Sequence, residues 1–177
     1  MFPKVTLVLG GISSGKSDFS EKLTLQSGLN AVYLASAQAR DPEMRAKIDR
    51  HRRKRNANWQ TIEEPLDAAG VIENAPATDI VLFDCATLWL TNHLLADNDL
   101  AGEQDRLIET LKGSQAPVVV VSNEVGQGGI AENEITRRFA AAQGRLNRQL
   151  AKTADLVIMV VAGLPMVLKG ELTMGPT

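Results

Sequence analysis

Aromatic side chains make up only 4% of this 177-residue chain, and cysteine occurs once, as Cys85. With so few rings, the core has to be built from Val, Ile, Leu and Ala. One thiol excludes an intramolecular disulfide and a cysteine-built zinc site, and it suits a reducing compartment. Histidine is nearly as scarce, at His51 and His93 only. No apolar run approaches the ~20 residues that a membrane-spanning helix needs; the longest, Leu156 to Leu168, is broken by Gly163 and Pro165. The apolar start, Met1 to Leu9, is followed by Ser13-Ser14-Gly15-Lys16 and not by a small-residue cleavage site. It reads as a first strand rather than a signal peptide, and the expected compartment is the cytoplasm. Excess charge is also missing: the formal net charge is -2, which speaks against wholesale electrostatic binding of nucleic acid or anionic lipid.

What is present is ordinary globular composition, 44% hydrophobic and 23% charged, in a length that suits one domain. Apolar runs recur at Val5 to Leu9, Ala31 to Ala35, Ile80 to Phe83, Pro117 to Val121 and Leu156 to Val161. They are continuous rather than alternating, which predicts strands buried on both faces, as in a parallel sheet. Helical stretches are expected over Ser17–Gln26, Pro42–Lys54, Glu103–Leu111 and Asn133–Thr153. In the last, Ile135, Phe139, Leu146 and Leu150 form an apolar stripe for packing on a sheet. Alternating strands and helices predict an open α/β sheet, with Pro165 to Leu168 as a short antiparallel edge strand. The expected organisation is one catalytic domain over residues 1–170, followed by a loose tail over 171–177.

Gly10-Gly11-Ile12-Ser13-Ser14-Gly15-Lys16-Ser17 matches the phosphate-binding pattern G-x-x-x-x-G-K-[ST] in full, between a strand and a helix as the motif requires. Glycines let backbone N–H groups converge on a phosphate without Cβ clashes, and the following helix N-terminus adds partial positive charge. Lys16 is the expected cation for the β- and γ-phosphates, and the Ser17 hydroxyl an expected Mg²⁺ ligand. The second metal ligand should end a neighbouring apolar strand, and Ile80-Val81-Leu82-Phe83-Asp84 offers Asp84.

Seven of the 19 Lys and Arg residues lie between Arg45 and Arg55, with His51 among them. The plain reading is a solvated basic helix face or a nucleic-acid patch. The alternative is chemical: neighbouring cations lower a histidine's pKa, keeping it neutral and nucleophilic at pH 7, and they also neutralise a triphosphate.

Taken together, these blocks resemble the bifunctional adenosylcobinamide kinase / adenosylcobinamide-phosphate guanylyltransferase family of cobalamin biosynthesis. The resemblance runs from about Thr6 to Lys169. Beyond the phosphate loop it rests on Tyr33 to Gln38, His51-Arg52 followed by Trp59 and Thr61 to Leu66, and Asp84 to Asn92. It continues with Ser122-Asn123-Glu124-Val125-Gly126-Gln127-Gly128, Gly144 to Asn147 and Ala162 to Pro165. It implies a RecA-like P-loop fold and a homotrimer with the nucleotide site near a subunit interface. It also implies two reactions: phosphorylation of adenosylcobinamide by ATP or GTP, and transfer of GMP from GTP to the resulting phosphate. His51 occupies the position of the family's guanylylated histidine. The implied nucleotide contacts are the loop Gly10 to Ser17, then Ser36, Ala37, Gln38, Arg52, Arg53, Lys54, Arg55, Glu63 and Asp84. The chain departs from the family pattern at Ser13, where Arg is common, at Ala140-Ala141, where an Arg-Asp pair is common, and at Arg148, where Gln is common. A P-loop kinase without guanylyltransferase activity is the alternative reading of the same residues.

Overall fold

The computed structural model describes residues 2–38, 42, 45, 46, 58–126 and 132–172. Seven strands form one sheet: β1 (Val5–Gly10), β2 (Asn30–Ala35), β3 (Trp59–Glu63), β4 (Asp79–Asp84), β5 (Val118–Asn123), β6 (Leu156–Val161) and β7 (Leu164–Lys169). Their order is β3-β2-β4-β5-β1-β6-β7. All neighbours run parallel except β6 and β7, which form an antiparallel hairpin. The edge strand expected near the C-terminus is therefore present as β7.

The continuous apolar runs are explained by burial on both faces. In β1, Val5, Leu7 and Leu9 enter one core while Val8 enters the other. In β5, Val118 and Val120 face the first core, and Val119 and Val121 the second. Four helices cover the first face: α2 (Ala68–Glu73), α3 (Ala86–Leu95), α4 (Leu100–Gly113) and α5 (Glu134–Thr153). Among the described residues the second face is covered by α1 (Lys16–Leu25), through Phe19 and Leu23.

The helix starts follow local chemistry. Asn133 caps α5, its Oδ1 accepting from the backbone N–H of Ile135 (2.8 Å) and Thr136 (3.3 Å). Asp99 caps α4 by accepting from Ala101 N–H at 3.1 Å. The expected apolar stripe of α5 is only partly buried. Leu146 and Leu150 are in the core and Phe139 packs against it, but Ile135 is exposed, as are all the described residues from Glu132 to Arg138. Of the expected helix over Pro42–Lys54, Pro42, Arg45 and Ala46 are described and helical. At the other end Leu172 packs against the second core, and residues 173–177 lie outside the described residues.

Two helices and one strand were not anticipated. Strand β3 sits at the sheet edge and is mostly exposed. Helix α3 buries Trp89, Leu90, Asn92 and His93 with no clear polar face.

Candidate active site

The parallel strands all point their carboxyl ends to one edge of the sheet, where open α/β sheets bind ligands. There the chain places the loop after β1, Ser36 to Gln38 after β2, Glu63 at the end of β3, Asp84 at the end of β4 and Asn123 at the end of β5. The connection between β2 and β3 carries His51, Arg52, Arg53, Lys54 and Arg55, which lie outside the described residues.

The loop from Gly10 to Ser17 wraps onto the start of α1. Gly10 closes β1, and a Cβ there would meet the backbone carbonyl Val160 O at 2.8 Å, so the turn has room only for glycine. Gly11 meets nothing, Ile12 at the tip is 86% exposed, and Ser13 is left-handed at φ 57. Gly15 is left-handed at φ 90 and caps α1 with no side-chain hydrogen bond, which leaves the first-turn N–H groups for an anion. Ser14 Oγ is buried without a partner among the described residues, a further polar group within the loop. Lys16 Nζ donates to Gly11 O at 3.0 Å. The β6–β7 turn braces the loop from outside: Gly163 N–H donates to Ser14 O at 2.8 Å.

Asp84 is held from the adjacent strand β2. The Tyr33 hydroxyl donates to Asp84 Oδ2 at 2.9 Å, and Tyr33 itself stands edge-on to Trp59 at 5.9 Å between ring centroids. Asp84 Oδ1 has no hydrogen-bond partner among the described residues. Next to it, burial first and Asp84 second push the Cys85 thiol up to about 11, with Lys16 pulling the other way. Lys16 and Asp84 are thus both close enough to act on one sulfur. Ser17 and Asp84 are hard oxygen donors of the kind that could hold Mg²⁺.

The other expected residues divide by role. Ser36 is fully engaged in the fold: its hydroxyl donates to Cys85 O (2.7 Å) and accepts from Cys85 N–H (3.0 Å), tying β2 to the start of α3. Ala37 and Gln38 follow it, half-buried, at the sheet edge. Glu63 pairs across from Ala35 and is exposed. The turn after Glu63 is clamped by α3. Trp89 Nε1–H (2.7 Å) and His93 Nε2 (3.1 Å) both bond Leu66 O, and Asn92 Nδ2 donates to Pro65 O at 3.0 Å. Asn98 Nδ2 meets His93 Nδ1 at 2.9 Å, so both ring nitrogens are engaged within the fold. His93 is therefore a clamp, not a reacting group. Sequence reasoning assigned no role to Asn123, although its Asn-Glu-Val-Gly block carries part of the family resemblance, or to the Tyr33–Asp84 bond, which has no signal along the chain.

Comparison with known proteins agrees with this geometry. Residues 6–168 match the family model described as cobinamide kinase / cobinamide phosphate guanyltransferase. The bifunctional adenosylcobalamin biosynthesis protein CobP of Pseudomonas aeruginosa is 45% identical, over 93% of this chain and 97% of its own. CobU of Salmonella typhimurium is 37% identical, over 92% of this chain and 98% of its own. In fold alone the chain is similar to the RadB recombinase, with a TM-score of 0.52 at 17% identity over 88% of this chain and 73% of that one. It is likewise similar to the P4 protein of bacteriophage phi6 in complex with ADP, with a TM-score of 0.51 at 15% identity over 93% and 53%. With its phosphate loop, its strand-end carboxylate and a match over nearly its whole length, the chain belongs to the cobinamide kinase / cobinamide phosphate guanyltransferase family.

Proposed function

We propose that this enzyme phosphorylates adenosylcobinamide, with ATP or GTP as donor, and then transfers GMP from GTP to that phosphate, yielding adenosylcobinamide-GDP and pyrophosphate. The observation that carries the reading is the family match over residues 6–168. In the kinase step the loop N–H groups from Gly10 to Ser17 hold the phosphates, and Lys16 follows charge onto the transferring group. Ser17 and Asp84 hold Mg²⁺, which neutralises phosphate charge when bound.

In the transferase step His51 is the nucleophile. Its neutral imidazole attacks the α-phosphorus of GTP, a P–N bond forms and pyrophosphate leaves. The acceptor phosphate then displaces the histidine. The covalent step avoids a direct encounter of two multiply charged anions. Arg52, Arg53, Lys54 and Arg55 offset the charge on the pyrophosphate, while Ser36, Ala37, Gln38 and Glu63 border the nucleotide.

The working form is a homotrimer in the cytoplasm. Support for self-association comes from β7, exposed along all six residues, with Leu164, Met166, Val167 and Leu168 uncovered beside Val161. Because the same hairpin touches the phosphate loop at Ser14, a subunit packed there would lie next to the nucleotide. No helix among the described residues is long and apolar enough to cross a membrane, and no nucleic-acid partner is proposed.

The test is incubation with α-labelled GTP and Mg²⁺, then with ATP and adenosylcobinamide, reading adduct and products by mass spectrometry. An acid-labile, base-stable guanylyl adduct on His51 and formation of adenosylcobinamide-GDP are expected. His51→Asn should keep the kinase and lose the transfer. An adduct elsewhere, or full transfer by His51→Asn, refutes the histidine's role.

A further inference from the structure

Asn123 ends β5, the strand lying between β1 with its phosphate loop and β4 with Asp84. It pairs directly with Gly10, the first residue of the loop. Its backbone is already gripped from two helices: Asn123 N–H donates to Thr87 Oγ1 of α3 at 2.8 Å, and Asn147 Nδ2 of α5 donates to Asn123 O at 3.0 Å. The strand end needs nothing from the side chain. Yet the carboxamide has no hydrogen-bond partner among the described residues, and its Oδ1 is buried. The Nδ2 donors are unused as well, and a half-turn about χ2 exchanges the oxygen and the NH2 with no change of shape, so the amide can present a donor toward the site; buried amides left unpaired are few in native proteins.

Strand alternation fixes where this amide points. Val119 and Val121 face the second core, on the side of α1. Ser122 points the other way, into a bonded group with Gln143 and Asn147. Asn123 therefore shares the face of Val121 and of α1, the helix that Lys16 opens. On β4, Leu82 faces that same core, so Asp84, two residues on, does too. Asp84 pairs with Val121, which leaves Asn123 two residues farther out on the adjacent strand. With a rise of ~3.3 Å per residue and ~4.8 Å between strands, the two Cα atoms are about 8 Å apart. A phosphoryl group with its metal spans that gap.

We propose that Asn123 is a direct contact to the transferred phosphoryl group, donating from its carboxamide between Lys16 and Asp84. The proposal rests on the kinase reading above. A neutral donor here would follow the charge on the equatorial oxygens during transfer without strengthening the hold on the diphosphate product.

The experiment compares the wild-type enzyme with Asn123→Ala and with the nearly isosteric Asn123→Asp. Affinities for ADP and for the β,γ-imido analogue of ATP are measured by calorimetry, and the kinetics of adenosylcobinamide phosphorylation are measured alongside. ADP affinity should stay within about twofold, showing that the loop is folded, while affinity for the triphosphate analogue falls at least about fivefold in Asn123→Ala and further in Asn123→Asp, whose carboxylate repels the phosphate. The kcat should drop toward the ~10²-fold loss typical of removing one transition-state donor, with the KM for adenosylcobinamide little changed and the KM for ATP rising in step with the lost analogue affinity. Equal effects on ADP and the triphosphate analogue, or a near-normal kcat in Asn123→Asp, would overturn the proposal. If the wild type does not phosphorylate adenosylcobinamide at all, the kinase reading fails, and the nucleotide affinities still decide Asn123.

Discussion

Replacing Gly15 by Ala separates backbone strain from contact at the phosphate loop. Gly15 lies at φ 90, and a Cβ there would stand 3.2 Å from Gly163 Cα in the β6–β7 turn. The left-handed conformation alone costs a non-glycine residue about 1–2 kcal/mol. Gly163 is backbone, so the turn itself must move by a few tenths of an ångström, straining the 2.8 Å bond from Gly163 N–H to Ser14 O, which is worth about 1 kcal/mol. Gly15→Ala should therefore lose about 2–3 kcal/mol. Gly28 supplies the control: it is left-handed at φ 74, but a Cβ would meet nothing within 4 Å. Gly28→Ala should lose only the strain, about 1–2 kcal/mol. Urea unfolding of both variants measures the difference, and ATP titration shows which one reaches the site. ATP binding should weaken in Gly15→Ala and stay unchanged in Gly28→Ala. Equal destabilisation of the two, with ATP affinity intact in both, would refute the brace between hairpin and loop.

Three further outcomes are expected. Tyr33→Phe removes the hydroxyl that orients Asp84 Oδ2; it should cost about 1.5–3 kcal/mol, as hydrogen bonds to charged groups do, and raise the Mg²⁺ concentration for half-maximal kinase activity, so an unchanged metal titration counts against the assigned role of Asp84. The Cys85 thiol, raised from 9.0 to about 11 by burial, ionises first in the unfolded chain. Stability is then fully present below pH ~9 and falls by roughly 2–3 kcal/mol as pH rises to ~11; urea midpoints should show this decline, and Cys85→Ala should flatten it. Leu146, with no exposed surface at the centre of the first core, should cost about 2–5 kcal/mol as Leu146→Ala, with the thermal midpoint falling and the ATP affinity of the folded protein preserved.

Where the chain signals its structure locally, the sequence could be read. The five buried strands declared themselves as apolar runs because both faces of the sheet are covered, and the phosphate loop did so because its glycines and lysine must stand at fixed spacing. Strand β3 escaped because Trp59 to Glu63 is a short, half-exposed edge segment held in place by pairing with β2. Helix α3 escaped because Trp89, Leu90, Asn92 and His93 are all buried, the polar ones serving as clamps on Ser36, Pro65 and Leu66. Asp84 was visible as the end of an apolar strand. Its orientation by Tyr33, and the placement of Asn123 beside Gly10, depend on strand order, which no local pattern encodes.

The bond from Lys16 Nζ to Gly11 O bears on how the enzyme turns over. The ammonium has a partner inside its own loop, so taking up a nucleotide is an exchange of one acceptor for another. The net gain from a phosphate is then smaller than a bare charge pair would provide. The same exchange runs backward when product leaves: as the polyphosphate departs, the carbonyl can take the ammonium back, and the cation is not stranded. Such a loop trades tight holding for quick release, which suits the proposed pair of reactions, one leaving a nucleoside diphosphate and the other pyrophosphate.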